Sequence, residues 1–199
     1  LGEDWEVWEE ELATFLSEGV IDVRREEESH LHEAAALCLV QSKLRRGCRR
    51  EAVEVCAQEL ARAQSFERPS RLPNLLLRLV EVESELGEHD EAERHLRELL
   101  KAEGEIRARA LLALGRIAVW RQERWAEEVL AEALRGLKND YNRACCHLLL
   151  AQRCLLHEKT EEARDHLDRA RSLALEGGDI GLQAKCRIAE GDLFRMEDQ

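Results

Sequence analysis

The stretch LGEHDEAERHLRELL, residues 86–100, decides the fold of this chain. It follows the apolar run NLLLRLVEV (74–82), so a short polar turn separates two amphipathic segments. Gly87 favours a helix end there, because glycine adopts the left-handed cap conformation without steric cost. Asp90 is then expected to cap the next helix, since its carboxylate can accept hydrogen bonds from the free amides of the first turn. The pattern predicts a helix hairpin with a tight turn.

The second helix of this hairpin carries a signature that recurs along the chain: an alanine, an apolar residue four positions later and another after seven. The matches are Ala92-Leu96-Leu99, Ala126-Leu130-Ala133 and Ala163-Leu167-Ala170, with a partial copy at Ala52-Cys56 in which Glu59 takes the third position. Successive alanines are 40, 34 and 37 residues apart. Since a lone hairpin cannot bury its apolar face, self-similarity at this period predicts a stack of hairpins.

The Ala-x3-Leu-x2-Ala pattern resembles the tetratricopeptide repeat (TPR) family over about residues 30–199. The family's Leu-Gly pair has one counterpart, Leu114-Gly115, which is one residue out of phase, and its tryptophan and closing proline are missing. The resemblance implies an all-α, right-handed α-solenoid of about four TPR-like helix hairpins with an N-terminal helix and a trailing C-terminal helix. The expected repeats lie at about 30–66, 72–103, 105–138 and 141–176, with a partial repeat at 179–199.

Composition narrows the class of protein. Aromatic residues make up only 4% of the 199, and the seven cysteines are odd in number and scattered. Such cysteines do not form the framework of a secreted disulfide-rich domain, so we expect a reducing compartment, the cytoplasm or the nucleus. The longest apolar run, AAALCLV (34–40), is far short of the roughly 20 residues that span a bilayer. A first residue of leucine suggests that the chain is part of a larger protein.

Acidic charge is concentrated at the start of the chain. Residues 1–33 hold twelve acids against Arg24 and Arg25, a net charge of −10, whereas the remainder carries −2 of the total of −12. No basic stripe follows, so nucleic acid is not an expected partner.

The acidic segment 1–29 reads as an amphipathic helix that caps the first repeat. Trp5, Trp8, Leu12 and Leu16 fall on one face of it and are expected to be buried. An alternative is that this helix lies in the binding groove as an internal substitute for the partner.

Catalytic and metal sites are not expected. The sequence has no glycine-rich phosphate loop and no nucleophile elbow. His147, Cys154 and His157 share a helix face, but zinc sites usually contain a close pair of cysteines or histidines, so we interpret them as core and surface residues without a cofactor. Cys145-Cys146 is interpreted as a pair of small core residues. Trp120 and Trp125 are interpreted as packing residues at a turn.

The remaining function is binding. By the resemblance, the first helices line a groove with the positions Leu37, Gln41, Leu44, Asn74, Leu77, Glu81, Leu148, Gln152 and Leu155. Leu37 and Gln41 stand where one TPR subclass carries a Lys and an Asn that clamp a C-terminal carboxylate, so that ligand is disfavoured. We expect a protein–protein interaction module that binds a peptide or an amphipathic helix, including one with Lys and Arg on its polar face. The alternatives are a regulatory sensor arm for a small molecule and a structural spacer; oligomeric state is not predicted.

Overall fold

The computed structural model describes residues 3–18, 26–65 and 72–197 of the chain. These residues form ten α-helices and contain no strand. The helices are α1 (Glu3–Glu18), α2 (Glu26–Arg45), α3 (Arg49–Ser65), α4 (Leu72–Leu86), α5 (His89–Leu99), α6 (Gly104–Trp120), α7 (Ala126–Gly136), α8 (Asp140–Leu156), α9 (Thr160–Glu176) and α10 (Ile180–Glu197). The predicted all-α class is therefore confirmed. Residues 66–71, between α3 and α4, lie outside the described residues.

The chain divides into two compact units, Leu1–His95 and Leu96–Gln199. In the first unit α1 packs on α2, α2 on α3, and α4 on both α2 and α3. In the second unit α6 pairs with α7 and α8 with α9, while α10 packs on α8 and α9. Each unit therefore consists of helices packed against their neighbours in sequence.

The alanine signature marks the buried seam of each hairpin. Its members are almost fully buried: Ala52 and Cys56, Ala92, Leu96 and Leu99, Ala126, Leu130 and Ala133, and Ala163, Leu167 and Ala170. Glu59, which interrupts the pattern in the first repeat, is buried as well. The signature thus predicted which face of each second helix is covered, even where the residue is charged.

The turns of the hairpins share one backbone shape. Gly47, Gly87 and Gly178 have φ between +64° and +81°, and Gln122 and Glu158 take the corresponding positions with φ of 58° and 59°. At each turn an amide just past the helix also reaches back five residues to a helix carbonyl; the amides are those of Cys48, Glu88, Glu123, Lys159 and Asp179. This is the Schellman arrangement, which satisfies carbonyls at the helix end. The predicted stop at Leu86-Gly87 is confirmed, but α5 already begins at His89, so Asp90 lies in its first turn and not at its cap.

Two predictions about tryptophan are wrong. Trp8 is 62% exposed, because α1 turns Glu9 toward α2 together with Leu12 and Leu16, the two leucines of the predicted stripe. The side chain of Trp5 lies outside the described residues. Trp120 is 68% exposed at the end of α6, so it is not the packing residue that its place at a turn suggested.

Among the described glycines, Gly115 of α6 lies nearest to a side chain of another helix, Leu130 of α7. A Cβ atom added to Gly115 would lie 2.4 Å from Leu130 Cδ2 and 2.7 Å from Leu130 Cγ, and Leu130 is fully buried. Gly115 belongs to Leu114-Gly115, the one counterpart of the TPR Leu-Gly pair noted in the sequence, and the contact explains why no larger residue fits there.

We expect Gly115→Ala to lower the free energy of unfolding by about 1–3 kcal/mol, because overpacking of the buried Leu130 outweighs the better helix propensity of alanine. The matched control is Gly191→Ala in α10, where an added Cβ meets no atom within 4 Å. The control should be neutral or stabilising by up to about 1 kcal/mol. Urea titrations of both variants measure the difference, and equal effects would show that the α6–α7 approach is looser than described.

Candidate functional site

The predicted groove positions of the first unit lie on α2 and α4. Gln41 and Asn74 are exposed, Leu37, Leu44 and Glu81 are half-buried, and Leu77 is only 2% exposed. Leu44 packs against the cluster formed by Val40, Ala52, Cys56, Leu79 and Val82. The surface available on these helices is therefore mostly polar, with leucine side chains partly accessible beside it.

Arg78 organises this polar surface, and sequence reasoning missed it. Its Nη1 donates to Glu81 Oε2 at 2.6 Å, and its Nη2 donates to Gln41 Oε1 across from α4 to α2. One guanidinium thus ties together two of the predicted groove residues from different helices. The missed signal is the position of Arg78 itself, three residues before Glu81 and therefore on the same face of a helix.

The predicted groove positions of the second unit lie on α8. Gln152 is exposed, Leu155 is half-buried, and Leu148 is buried in the core cluster of this unit. Tyr141, half-exposed one turn before Cys145, adds an aromatic ring with a hydroxyl to the same helix. Of the three predicted residues, Gln152 is therefore the one whose side chain is exposed to a ligand.

A pair of histidines, the buried His147 and the half-buried His166, lies at the seam of α8 and α9. His147 Nδ1 is 3.1 Å from His166 Nδ1, and the ring centroids are 5.3 Å apart. At this distance one nitrogen donates and the other accepts, so the pair holds one proton between the two nitrogens. Burial, together with the neighbouring His166, Arg169 and Arg143, lowers the pKa of His147 to about 4.

The groups around His166 act on its pKa in opposite directions, and the net effect lowers it. Burial lowers its pKa, Arg169 acts in the same direction, and the carboxylates of Asp165, Glu162 and Glu127 oppose them. Both imidazoles are thus kept neutral near pH 7.

The first unit has a related pair. His95 lies three residues after Ala92, as His166 does after Ala163, and its Nδ1 is 2.9 Å from Glu83 Oε2. Burial raises the pKa of the Glu83 carboxyl, and the contact with His95 opposes that rise. A histidine at this repeat position therefore joins the two helices of a hairpin in both units.

The cysteines are all free thiols, and five of the seven are buried. Burial raises the pKa of the Cys146 thiol to about 12, and its Sγ donates to the carbonyl of Leu130 at 3.3 Å. Burial also raises the pKa of Cys145, although the cation of Arg116 opposes this. The interpretation of Cys145-Cys146 as core residues agrees with this burial.

The described residues contain no group of three or more His, Cys, Asp or Glu side chains placed to hold a metal ion. His147, Cys154 and His157, which the sequence favours as core and surface residues over zinc ligands, lie apart in burial: His147 and Cys154 are buried, and His157 is exposed past the end of α8. No helix within the described ranges has the length and apolar character needed to cross a membrane.

Comparison with known proteins adds no assignment. No family model matches the chain, and neither a curated protein nor a solved structure matches it significantly.

We expect the chain to lose stability as the pH falls from about 6.5 toward about 4, because the unfolded chain takes up protons there that His147 and His166, with their lowered pKa values, do not bind in the folded state. His147→Gln should make this loss smaller by about 1–3 kcal/mol, since one imidazole with a lowered pKa is removed. The matched control is His157→Gln, at the exposed end of the same helix. Denaturant unfolding at pH 7, 6, 5 and 4 measures the slopes; identical slopes for the two variants would contradict the role of the pair.

Proposed function

We propose that the chain is a protein–protein interaction module of the tetratricopeptide-like type, and that it binds a peptide or an amphipathic helix on its first helices. We propose further that the hairpins, about four in number, form a right-handed solenoid that is part of a larger protein. The support is the recurrence of one hairpin design, with a buried alanine seam and the same turn, in both units. Free thiols fit a reducing compartment such as the cytoplasm or nucleus.

The observation that carries the proposal is the network of Gln41, Arg78 and Glu81. It fixes polar groups from α2 and α4 at the surface, beside the half-buried Leu37 and Leu44. Fixed polar groups next to partly accessible apolar side chains suit a ligand whose backbone needs hydrogen bonds and whose side chains need apolar contacts. A spacer would not need such an arrangement.

We also propose that α1 caps the first hairpin. Leu16, with Leu12 beside it, packs on Ala35, Ala36 and Leu39 of α2. A terminal hairpin exposes an apolar face unless another element covers it. This contact therefore favours a covering role for α1 over a place inside the groove.

The binding proposal is tested with Arg78→Ala, because that change removes both hydrogen bonds of the network. Immobilised chain is used to recover proteins from a cell extract, and each recovered protein is then titrated against purified variants. Arg78→Ala should lower the affinity for a partner that binds the groove by about tenfold or more, as loss of a charged hydrogen-bonding group does. The matched control is Arg94→Ala, an exposed arginine on α5 that also pairs with a glutamate three residues away, Glu91. Partners that respond equally to both variants would count against the groove.

Removal of residues 1–29 tests the cap. We expect a lower unfolding midpoint, because Ala36 and Leu39 lose their cover, and no gain in partner affinity. Unchanged thermal stability together with tighter binding would show instead that α1 competes with the partner.

A further inference from the structure

The rotation of α1 about its own axis is fixed by one buried carboxylate. Glu9 is only 6% exposed, and its two oxygens accept from Ser42 Oγ at 2.6 Å and from Arg46 Nη1 at 2.8 Å. Lys43 Nζ lies 3.1 Å from the same carboxylate. Burial by itself would raise the pKa of Glu9, but these α2 groups outweigh it and the pKa is lowered. The carboxylate is thus held as an anion by three side chains of α2.

This anchor decides which residues of α1 face outward. Leu12 and Leu16 follow Glu9 by three and seven positions, so they turn toward α2 with it. Trp8 precedes Glu9 by one residue and therefore points about 100° away. It is 62% exposed, with Val7 beside it at 55% and Phe15 two turns along at 38%. Rolling α1 to bury Trp8 would pull Glu9 away from Ser42, Lys43 and Arg46 and break the contacts that join the two helices.

The outer face of α1 therefore combines aromatic surface with negative charge. Glu11 is exposed and lies three residues after Trp8, on the same side of the helix. Glu10 is exposed as well, farther around the helix. They belong to the segment 1–33, with its net charge of −10. Tryptophan is the residue most enriched at the energetic centres of protein interfaces, where a rim of polar or charged groups surrounds it.

We propose that the outer face of α1, formed by Val7, Trp8, Glu11 and Phe15, docks a partner protein whose contact surface is apolar at its centre and rimmed by Lys and Arg. The charge selects this occupant. Anionic lipid and nucleic acid are repelled by the face, and a second copy would bring like charges together. The surface is separate from the groove on α2 and α4, so it can act whether or not the groove binds a ligand.

The test uses a synthetic amphipathic helix of leucine and lysine as the probe, with a leucine–glutamate helix of the same pattern as its counterpart. The fluorescently labelled peptides are titrated with the full chain by anisotropy at low and physiological salt. We expect the lysine peptide to bind, more weakly as salt rises, and the glutamate peptide not to bind. Binding of both peptides, or of neither, would overturn the proposal.

Matched variants locate the contact. Trp8→Ala should lower the affinity for the lysine peptide by about tenfold or more. Trp120→Ala, which removes a similarly exposed tryptophan from α6, should not lower it. Glu11→Lys should also lower this affinity, whereas Glu128→Lys, at an exposed position of α7, should leave the affinity nearly unchanged. Circular dichroism checks that each variant keeps its helices.

Three results would contradict the assignment. Wild-type affinity in Trp8→Ala would show that the peptide binds elsewhere, and equal losses in Trp8→Ala and Trp120→Ala would show unspecific attraction to tryptophan. Light scattering that finds a dimer abolished by Trp8→Ala would identify a second copy as the occupant and overturn the basic partner.

Discussion

The close approach of two helices at a small residue is the constraint on which every hairpin depends. Alanine at the start of the second helix, and glycine at Gly115 in the first, remove the side-chain volume that would hold the helices apart. Dispersion contacts fall off steeply with distance, so a separation larger by the width of a methyl group would leave the leucines of the seam without partners. The same spacing brings polar groups into reach, since His147 meets His166 and Glu83 meets His95 across it.

The sequence predicted the helices and the buried faces well because both follow from local periodicity. Ala92, Leu96 and Leu99 share a face in any helix, and Gly87 ends a helix for reasons contained in its own backbone. Even Glu59 fell on the buried side, where its residue type alone would not have placed it. Periodicity predicts which face of a helix is buried, but it does not predict which other helix covers that face.

The predictions that proved wrong or incomplete concern that covering element. The stripe of Trp8, Leu12 and Leu16 was assigned by hydrophobicity, yet Glu9 and its partners on α2 outweighed the burial of an indole. A salt bridge between residues more than thirty positions apart has no local signature. The same holds for Arg78 with Gln41, since only the fold brings α4 next to α2.

The turns of the two hairpins in the second unit, α6–α7 and α8–α9, hold their backbone in a conformation that costs free energy. Gln122 and Glu158 adopt the left-handed conformation that glycine supplies at Gly47, Gly87 and Gly178. A side chain with a Cβ atom pays about 1 kcal/mol or more to stay in that region. The seams of α6–α7 and α8–α9 therefore impose the geometry of their connections on residues that disfavour it. These two turns depend on tertiary packing to reach their conformation, whereas the turns at glycine can form before the helices meet.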